Sequence, residues 1–124
     1  MRIFITCIAT TSLLLMAGEC KKKPLTAERL KGRLEVAGIC MNYTIAVVEG
    51  KIDTNLTEAK WTDETTNKTY TNVFRLKSHC NFPDSIKQGD EFYFVVDSSE
   101  QKQCPVCLAY YPTPSKAVAI KVVE

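Results

Sequence analysis

A chain of 124 residues is long enough for one ordinary domain and too short for two. Its 16 basic and 14 acidic residues leave a net charge of +2, which gives no electrostatic reason to expect a nucleic-acid partner. After the first 19 residues, no stretch is apolar enough to span a membrane as a helix.

The first 19 residues have the pattern of a secretory signal peptide. Arg2 supplies a short positive start, residues 3–16 are mainly apolar, and the small residues Ala17 and Gly18 stand near the expected cleavage site. The apolar part is shorter than the roughly 20 residues of a membrane-spanning helix. The pattern therefore predicts export, with residues 1–19 as the signal peptide.

Cys20 follows this segment directly and begins a short polar stretch. Three lysines and Pro24 come next, so residues 20–28 are predicted to be a tether. A lipid on the Cys20 sulfur would leave an even number of other cysteines in the exported chain, as a set of disulfides requires. The residue before it is Glu19, where bacterial lipoprotein signals carry a small residue. We expect Cys20 to be lipidated, with ordinary secretion as the alternative.

From residue 29 onward, the chain is a series of short strand-like runs rich in β-branched and aromatic residues. Residues 51–72 form a long polar stretch, in which we expect a short hairpin or edge strand near residues 59–62. The pattern predicts an all-β domain at residues 29–124, either a small five- or six-stranded antiparallel barrel of the OB-like type or a sandwich. The runs are residues 33–39, 43–49, 73–76, 91–96, 107–111 and 117–123.

Residues 86–94, IKQGDEFYF, combine a turn with a strongly apolar strand. Gly89 lies in the turn, and turns of this kind are frequent in small OB-like and SH3-like barrels. In the strand that follows, alternate residues share a face, so Phe92 and Phe94 lie on one side and Tyr93 on the other.

The motif Cys104-Pro-Val-Cys107 has three interpretations. As a redox dithiol it lacks the helix that lowers a thiol pKa in thioredoxin-like proteins, because strand-like residues and prolines follow it. As part of a zinc site it would need Cys80 with Cys40 or His79, but the second close cysteine pair of a structural zinc site is missing. We expect structural disulfides among Cys40, Cys80, Cys104 and Cys107, with a pairing that the sequence leaves open.

No catalytic residue, metal site or cofactor is predicted. His79 is the only histidine, and nothing in the sequence places it beside a nucleophile. Scattered acids, namely Asp53, Asp63, Glu64 and Asp90, are expected in solvated loops. A ligand-stacking face is one interpretation of five aromatic residues, although such residues more often pack in a core. They are Trp61, Phe74, Tyr93, Tyr110 and Tyr111.

Three N-x-T sequons begin at Asn42, Asn55 and Asn67. In a eukaryotic secreted protein they would be glycan sites. They are the main argument against a bacterial lipoprotein, although a Thr- and Asn-rich sequence also produces them by chance.

The signal, the Cys-Lys tether and the short β-domain together resemble an uncharacterised family of small cysteine-containing lipoproteins of Bacteroidota. The resemblance covers roughly residues 20–123 and implies a lipid anchor but no known activity. It rests on CKKKP, on GIC at 38–40, on NVFRLKSHC at 72–80, on IKQGDEFYF at 86–94 and on CPVCLAYYPTP at 104–114.

We expect an exported, lipid-anchored, disulfide-stabilised binding or structural module of the cell envelope. Its expected partners are the membrane, through the anchor, and an envelope protein or glycan. One alternative is a thiol–disulfide or zinc-handling protein that works through Cys104 and Cys107. The other is a secreted OB-like inhibitor, as in netrin-like domains.

Overall fold

The computed structural model describes residues 28–124, so the predicted signal peptide, Cys20 and nearly all of the tether lie outside the described residues. Seven strands form one sheet, which confirms the predicted all-β class. Two short 3-10 turns, Ile39–Met41 and His79–Asn81, follow the first and fourth strands. The strands are β1 (Leu30–Gly38), β2 (Asn42–Glu49), β3 (Glu58–Asp63), β4 (Lys68–Leu76), β5 (Glu91–Val96), β6 (Ala117–Val118) and β7 (Ile120–Val123).

The strands lie in the order β3-β4-β2-β1-β5-β7, and these neighbours are antiparallel. β6 lies off this path and pairs in parallel with β4. Only Ala119 separates β6 from β7, so one C-terminal segment pairs first with β4 and then with β5. The sheet is not closed into a barrel. It has more strands than the five or six predicted, because β3 adds an edge and the last run changes partner at Ala119.

The main core lies where β4 and β5 bring their aromatic residues together. Phe74 and Phe94 are fully buried, with ring centroids 5.9 Å apart. Phe92 is buried beside them and Tyr93 is exposed, so the predicted alternation of β5 is confirmed. Gly32 permits this packing, because a Cβ there would lie 2.9 Å from the Phe94 ring. The other buried members are Leu30, Leu34, Ile45, Val47, Leu76, Phe82, Val118 and Ile120.

A second, smaller cluster lies on the other face of β2 and β4, because Ala46 and Val73 alternate with residues of the main core. Val36 and Tyr70 complete its buried part, and Trp61 packs against it. A register shift in β1 just before Val36 accompanies the change of cluster along that strand. This cluster provides the surface on which a long connection rests.

The two expectations for the weaker runs have opposite outcomes. The edge strand expected near residues 59–62 is confirmed as β3, which lies at the edge of the sheet. The strand expected at 107–111 is wrong, because no strand is present anywhere in residues 97–116. Pro112 and Pro114 lie buried just after that run and have no N–H to give to a ladder.

A buried hydroxyl joins the end of β4 to β7. Ser78 is buried, and its Oγ donates to the carbonyl oxygen of Ile120 and accepts from the N–H of the same residue, both at 2.8 Å. These two bonds satisfy the backbone at the point where the C-terminal segment leaves β4 for β5.

Thr44 offers a test of the packing in β2. It is fully buried, and its Oγ1 is the one buried side-chain polar atom within residues 28–124 that has no hydrogen-bond partner. Val has nearly the same shape without the hydroxyl, so we expect Thr44→Val to raise the free energy of unfolding by about 1 kcal/mol and Tm by several degrees. Thermal unfolding would measure the change. Thr44→Ala is the control and should lower Tm, because it leaves a cavity; a Thr44→Val protein that melts below wild type would contradict the expectation.

Candidate functional site

The connection between β5 and β6, residues 97–116, carries the CPVC motif and is called the cysteine loop here. It is longer than the roughly 12–15 residues above which strandless connections are uncommon and usually functional or disordered. No backbone–backbone hydrogen bond involves residues 98–115. Its conformation therefore depends on disulfides and side-chain contacts.

Each cysteine of the CPVC motif is bonded to a different turn of the sheet. Cys107 pairs with Cys40 in the turn after β1, with their Cα atoms 5.0 Å apart. Cys104 pairs with Cys80 in the turn after β4, with a Cα separation of 5.7 Å. The four predicted disulfide cysteines are thus all paired, and the pairing that the sequence left open is resolved. The two bonds hold the loop against two separate strand ends.

This pairing bears on the redox and zinc interpretations of the motif. In a redox dithiol the two cysteines of the motif bond to each other, whereas here each has a distant partner. Ligand atoms of His79, Cys80 and Cys104 do lie within 4.8 Å of one another. Both sulfurs of that group belong to one disulfide, so neither is a thiolate that could bind zinc in this state. The arrangement favours structural disulfides.

The turn after β1 has a backbone conformation that is uncommon for residues other than glycine. Cys40 and Met41 have φ values of 56° and 60°, in the left-handed region. The Asn42 amide nitrogen donates to the carbonyl oxygen of Ile39 at 2.7 Å and to that of Ala109 in the loop at 3.0 Å. One side chain therefore holds both sides of the disulfide together. The same nitrogen is the atom that a glycan would occupy in the first sequon.

A buried carboxylate fixes the far end of the loop. Asp63, at the end of β3, is 1% exposed, and its Oδ2 accepts a hydrogen bond of 2.7 Å from the Tyr111 hydroxyl. Its Oδ1 accepts from the N–H of Thr65 at 2.9 Å and from the hydroxyl of that residue at 2.7 Å. Burial opposes ionisation, but the bonds from Thr65 and Tyr111 outweigh it and hold the pKa of Asp63 below its ordinary value. Tyr111 therefore donates to a charged acceptor.

The Tyr111 ring needs the space left by a glycine. A Cβ on Gly38, the last residue of β1, would lie 2.9 Å from two ring atoms of Tyr111 and 2.6 Å from the Asn42 carbonyl oxygen. The ring packs against the second cluster as well. Four residues further along, the N–H and hydroxyl of Ser115 donate to Glu58 of β3. The loop is thus attached to the sheet at both ends of its exposed part.

Between these attachments, residues 105–110 are exposed, and their backbone contains no turn, bend or helix. Alternate residues are attached to the sheet by the disulfide, the Asn42 bond and the Asp63 bond, and these are Cys107, Ala109 and Tyr111. The residue before each of these presents an apolar side chain to solvent, and these are Val106, Leu108 and Tyr110. Leu108 is 99% exposed and Tyr110 is 78% exposed. The sequence predicted a strand here from a run of apolar and aromatic residues, of which residues 107–110 are exposed and unpaired with any strand.

The ligand-stacking face considered for five aromatic residues is not formed, and most of them pack, as the alternative interpretation has it. Phe74 is buried in the main core, and Tyr93 lies beneath an arginine side chain on the outer face of β5. Trp61 and Tyr111 pack against the second cluster. Tyr110 alone among the five stands on the exposed face of the cysteine loop.

The expectation that Asp63 lies in a solvated loop is wrong, and the sequence did not single out Gly38 or Asn42 for the site. A local signal for Asp63 does exist. Thr65 follows it by two residues, a spacing at which an Asp side chain commonly accepts bonds within its own turn. No comparable signal marks Gly38, because its contact with Tyr111 joins residues far apart in the chain.

Comparison with known proteins gives no match: no family model, curated protein or solved structure matches this chain. Within residues 28–124, no helix has the length and apolar character needed to cross a membrane. The two disulfides indicate an oxidising, extracellular environment, where such bonds form and persist.

The Tyr111–Asp63 bond makes a prediction about pH. Removing the donor with Tyr111→Phe should lower the free energy of unfolding at pH 7 by about 1.5–3 kcal/mol, because a buried charged acceptor loses a partner. The pKa of Asp63 is lowered in the folded state, so the stability that its ionised form contributes is present above the unfolded pKa of about 4 and is lost as the pH falls below it. The deficit of Tyr111→Phe should shrink over that same acid range.

Unfolding by denaturant at a series of pH values from 7 to 2 would measure this effect. Tyr110→Phe is the matched control, because the neighbouring tyrosine is exposed and its hydroxyl makes no hydrogen bond among the described residues. It should behave as wild type at every pH. Equal losses in both variants, or a Tyr111→Phe deficit that is independent of pH, would contradict the role of Asp63.

Proposed function

We propose that this protein is an exported binding module of the cell envelope, anchored to a membrane by a lipid on Cys20, that contacts a protein partner through the cysteine loop. The observation that carries the proposal is the exposed apolar face of residues 105–110 on a backbone attached to the sheet at several points. Single exposed apolar residues are ordinary. Alternating exposed apolar residues on a disulfide-linked backbone form a surface that a partner could cover.

A protein suits this face better than a glycan does. Residues 103–115 contain no charged side chain, and Val106 and Leu108 offer no hydrogen-bonding group. Backbone groups without a hydrogen-bond partner can pair with an added strand of another protein. Aliphatic side chains can enter an apolar cleft of such a protein. Ile39, in the turn that holds Cys40, is another exposed apolar side chain, at 59%.

A catalytic role finds less support in the same residues. Asp63 is the buried carboxylate nearest to the loop, and its oxygens already accept bonds from Tyr111 and Thr65. The CPVC cysteines are engaged in disulfides. The buried carboxylate and the four cysteines of the site thus have structural partners.

The position of the loop agrees with an anchor at Cys20. The tether would enter the domain at Leu30, the first residue of β1, whereas the disulfide turn begins after the last residue of that strand. At about 3.3 Å per residue, β1 separates these two points by roughly 26 Å. The tether would therefore join β1 at the end opposite to the turn that holds Cys40 and the exposed residues 107–110.

The anchor is tested by the mass of the full chain purified from membranes. We expect a mature protein that begins at acylated Cys20, and we expect Cys20→Ser to leave the membrane fraction. Lysine tethers can also bind anionic lipids, so membranes should be washed with high salt before extraction. An unmodified chain of the same length recovered from the medium would contradict the anchor and leave ordinary secretion.

Contact through the loop is tested by a photoreactive amino acid placed at position 108 of the full chain in its own cells. Illumination should join the chain to one discrete envelope protein at this position. The same amino acid at Lys60, an exposed residue of β3 outside the stretch 105–110, is the control and should give no such product. Equal cross-linking at both positions, or none at position 108, would contradict a binding role for the loop.

A further inference from the structure

The exposed part of the cysteine loop, residues 105–110, has features of a peptide that binds in the cleft of another protein. Its backbone from residue 100 to 114 contains no turn, bend or helix, and residues 98–115 use none of their N–H or C=O groups in backbone–backbone bonds. Side chains bind some of these groups, such as the Ala109 carbonyl, but among the described residues none binds the N–H or C=O of Leu108, which can pair with the main chain of a partner. The uncharged face and the fully exposed Leu108 suit a cleft with an apolar pocket.

We infer that the loop binds serine endopeptidases that cut after large apolar residues, with Leu108 in the specificity pocket, and that it inhibits them. This inference rests on the proposed binding function and names the class of partner. The choice of an enzyme follows from the exposure of the chain on both sides of Leu108 and from the attachments that flank this residue, the Cys107 disulfide and the Asn42 bond to Ala109. A loop held by a disulfide and hydrogen bonds loses less entropy on entering a cleft than an unattached peptide does.

The attachments around Leu108 explain why the loop would inhibit such an enzyme instead of being cut by it as an ordinary substrate. Attack by the enzyme's serine on the Leu108 carbonyl carbon forms an ester and breaks the bond to Ala109, whose nitrogen takes the serine proton. Cys107 is held on the Leu108 side by its disulfide, and the Ala109 carbonyl is held on the other side by Asn42.

The new amine therefore stays beside the ester. It can attack the same carbonyl carbon, re-form the peptide bond and return the proton to the serine, so the reverse step competes with hydrolysis by water. Two residues after Ala109, the hydrogen bond from Tyr111 to Asp63 also holds the chain beyond the cut. The enzyme is thus occupied by a chain that it cannot release quickly.

The test uses the full chain purified from membranes in detergent and a chymotrypsin-type peptidase acting on a chromogenic peptide. Wild type should inhibit competitively, and Leu108→Gly should raise the inhibition constant at least tenfold. Lys60→Ala is the matched surface control and should inhibit as wild type does. A trypsin-type peptidase, which cuts after Lys or Arg, should not be inhibited through this loop, because residues 103–115 contain neither.

The double variant Cys40→Ser, Cys107→Ser tests the retention of the cut ends. Because these two cysteines are each other's partners, the variant has no new free thiol. It should behave as a substrate and not as an inhibitor. Mass spectrometry should show a cut after Leu108 that is at least tenfold faster than in wild type. Circular dichroism and the unfolding transition of the variant establish that the sheet is intact before the rates are compared. If the variant does not fold, the Asn42→Ala protein provides the same comparison through loss of the Ala109 bond.

Three results would overturn the inference: no inhibition by wild type at a hundredfold excess, equal inhibition by Leu108→Gly, or rapid cutting of the wild-type loop. A dimer in solution that Leu108→Gly abolishes would also overturn it, because the apolar face would then belong to a second copy. Cross-linking at position 108 to an envelope protein that is not a peptidase would keep the binding function and reject the enzyme class. The two proposals can therefore fail separately.

Discussion

The division of the CPVC cysteines between two turns is the constraint on which the exposed loop depends. A bond between Cys104 and Cys107 would close a small ring and leave the connection unattached to the sheet. Bonds to Cys40 and Cys80 instead fasten the loop to the ends of β1 and β4, across 67 and 24 residues of sequence. Loops of that length lose considerable freedom in the unfolded chain when they are closed. The same bonds determine which side of the segment faces solvent.

Disulfides alone would leave the segment after Cys107 free to move, and polar contacts complete the attachment. Ordering one residue costs about 1–2 kcal/mol of backbone entropy, and a segment with exposed side chains recovers little of this by burial. The Asn42 amide and the ionised Asp63 each bind the loop directly, and Gly38 allows the Tyr111 ring to lie against the sheet. The second apolar cluster thus has a role beyond stability, since it is the surface on which Tyr111 rests.

The sequence predicted most of the sheet, because alternation along a strand is a local property. Phe92, Tyr93 and Phe94 show it clearly, and the edge strand near residue 60 was also predicted. The count of cysteines predicted disulfides but not their pairing, since pairing depends on which strand ends are neighbours. Residues 107–111 were misassigned for an instructive reason: their alternate side chains are attached to turns and a carboxylate, and a sequence pattern does not distinguish this from a ladder.

The fold itself gives no reason for the apolar character of residue 108. Leu108 is almost fully exposed, so its side chain buries no area and contributes nothing to the core, while its contact with water is unfavourable. The residues on either side have clear structural roles, because Cys107 forms a disulfide and Ala109 accepts a bond from Asn42. A rigid backbone that holds a side chain without an internal partner supports a contact outside the chain.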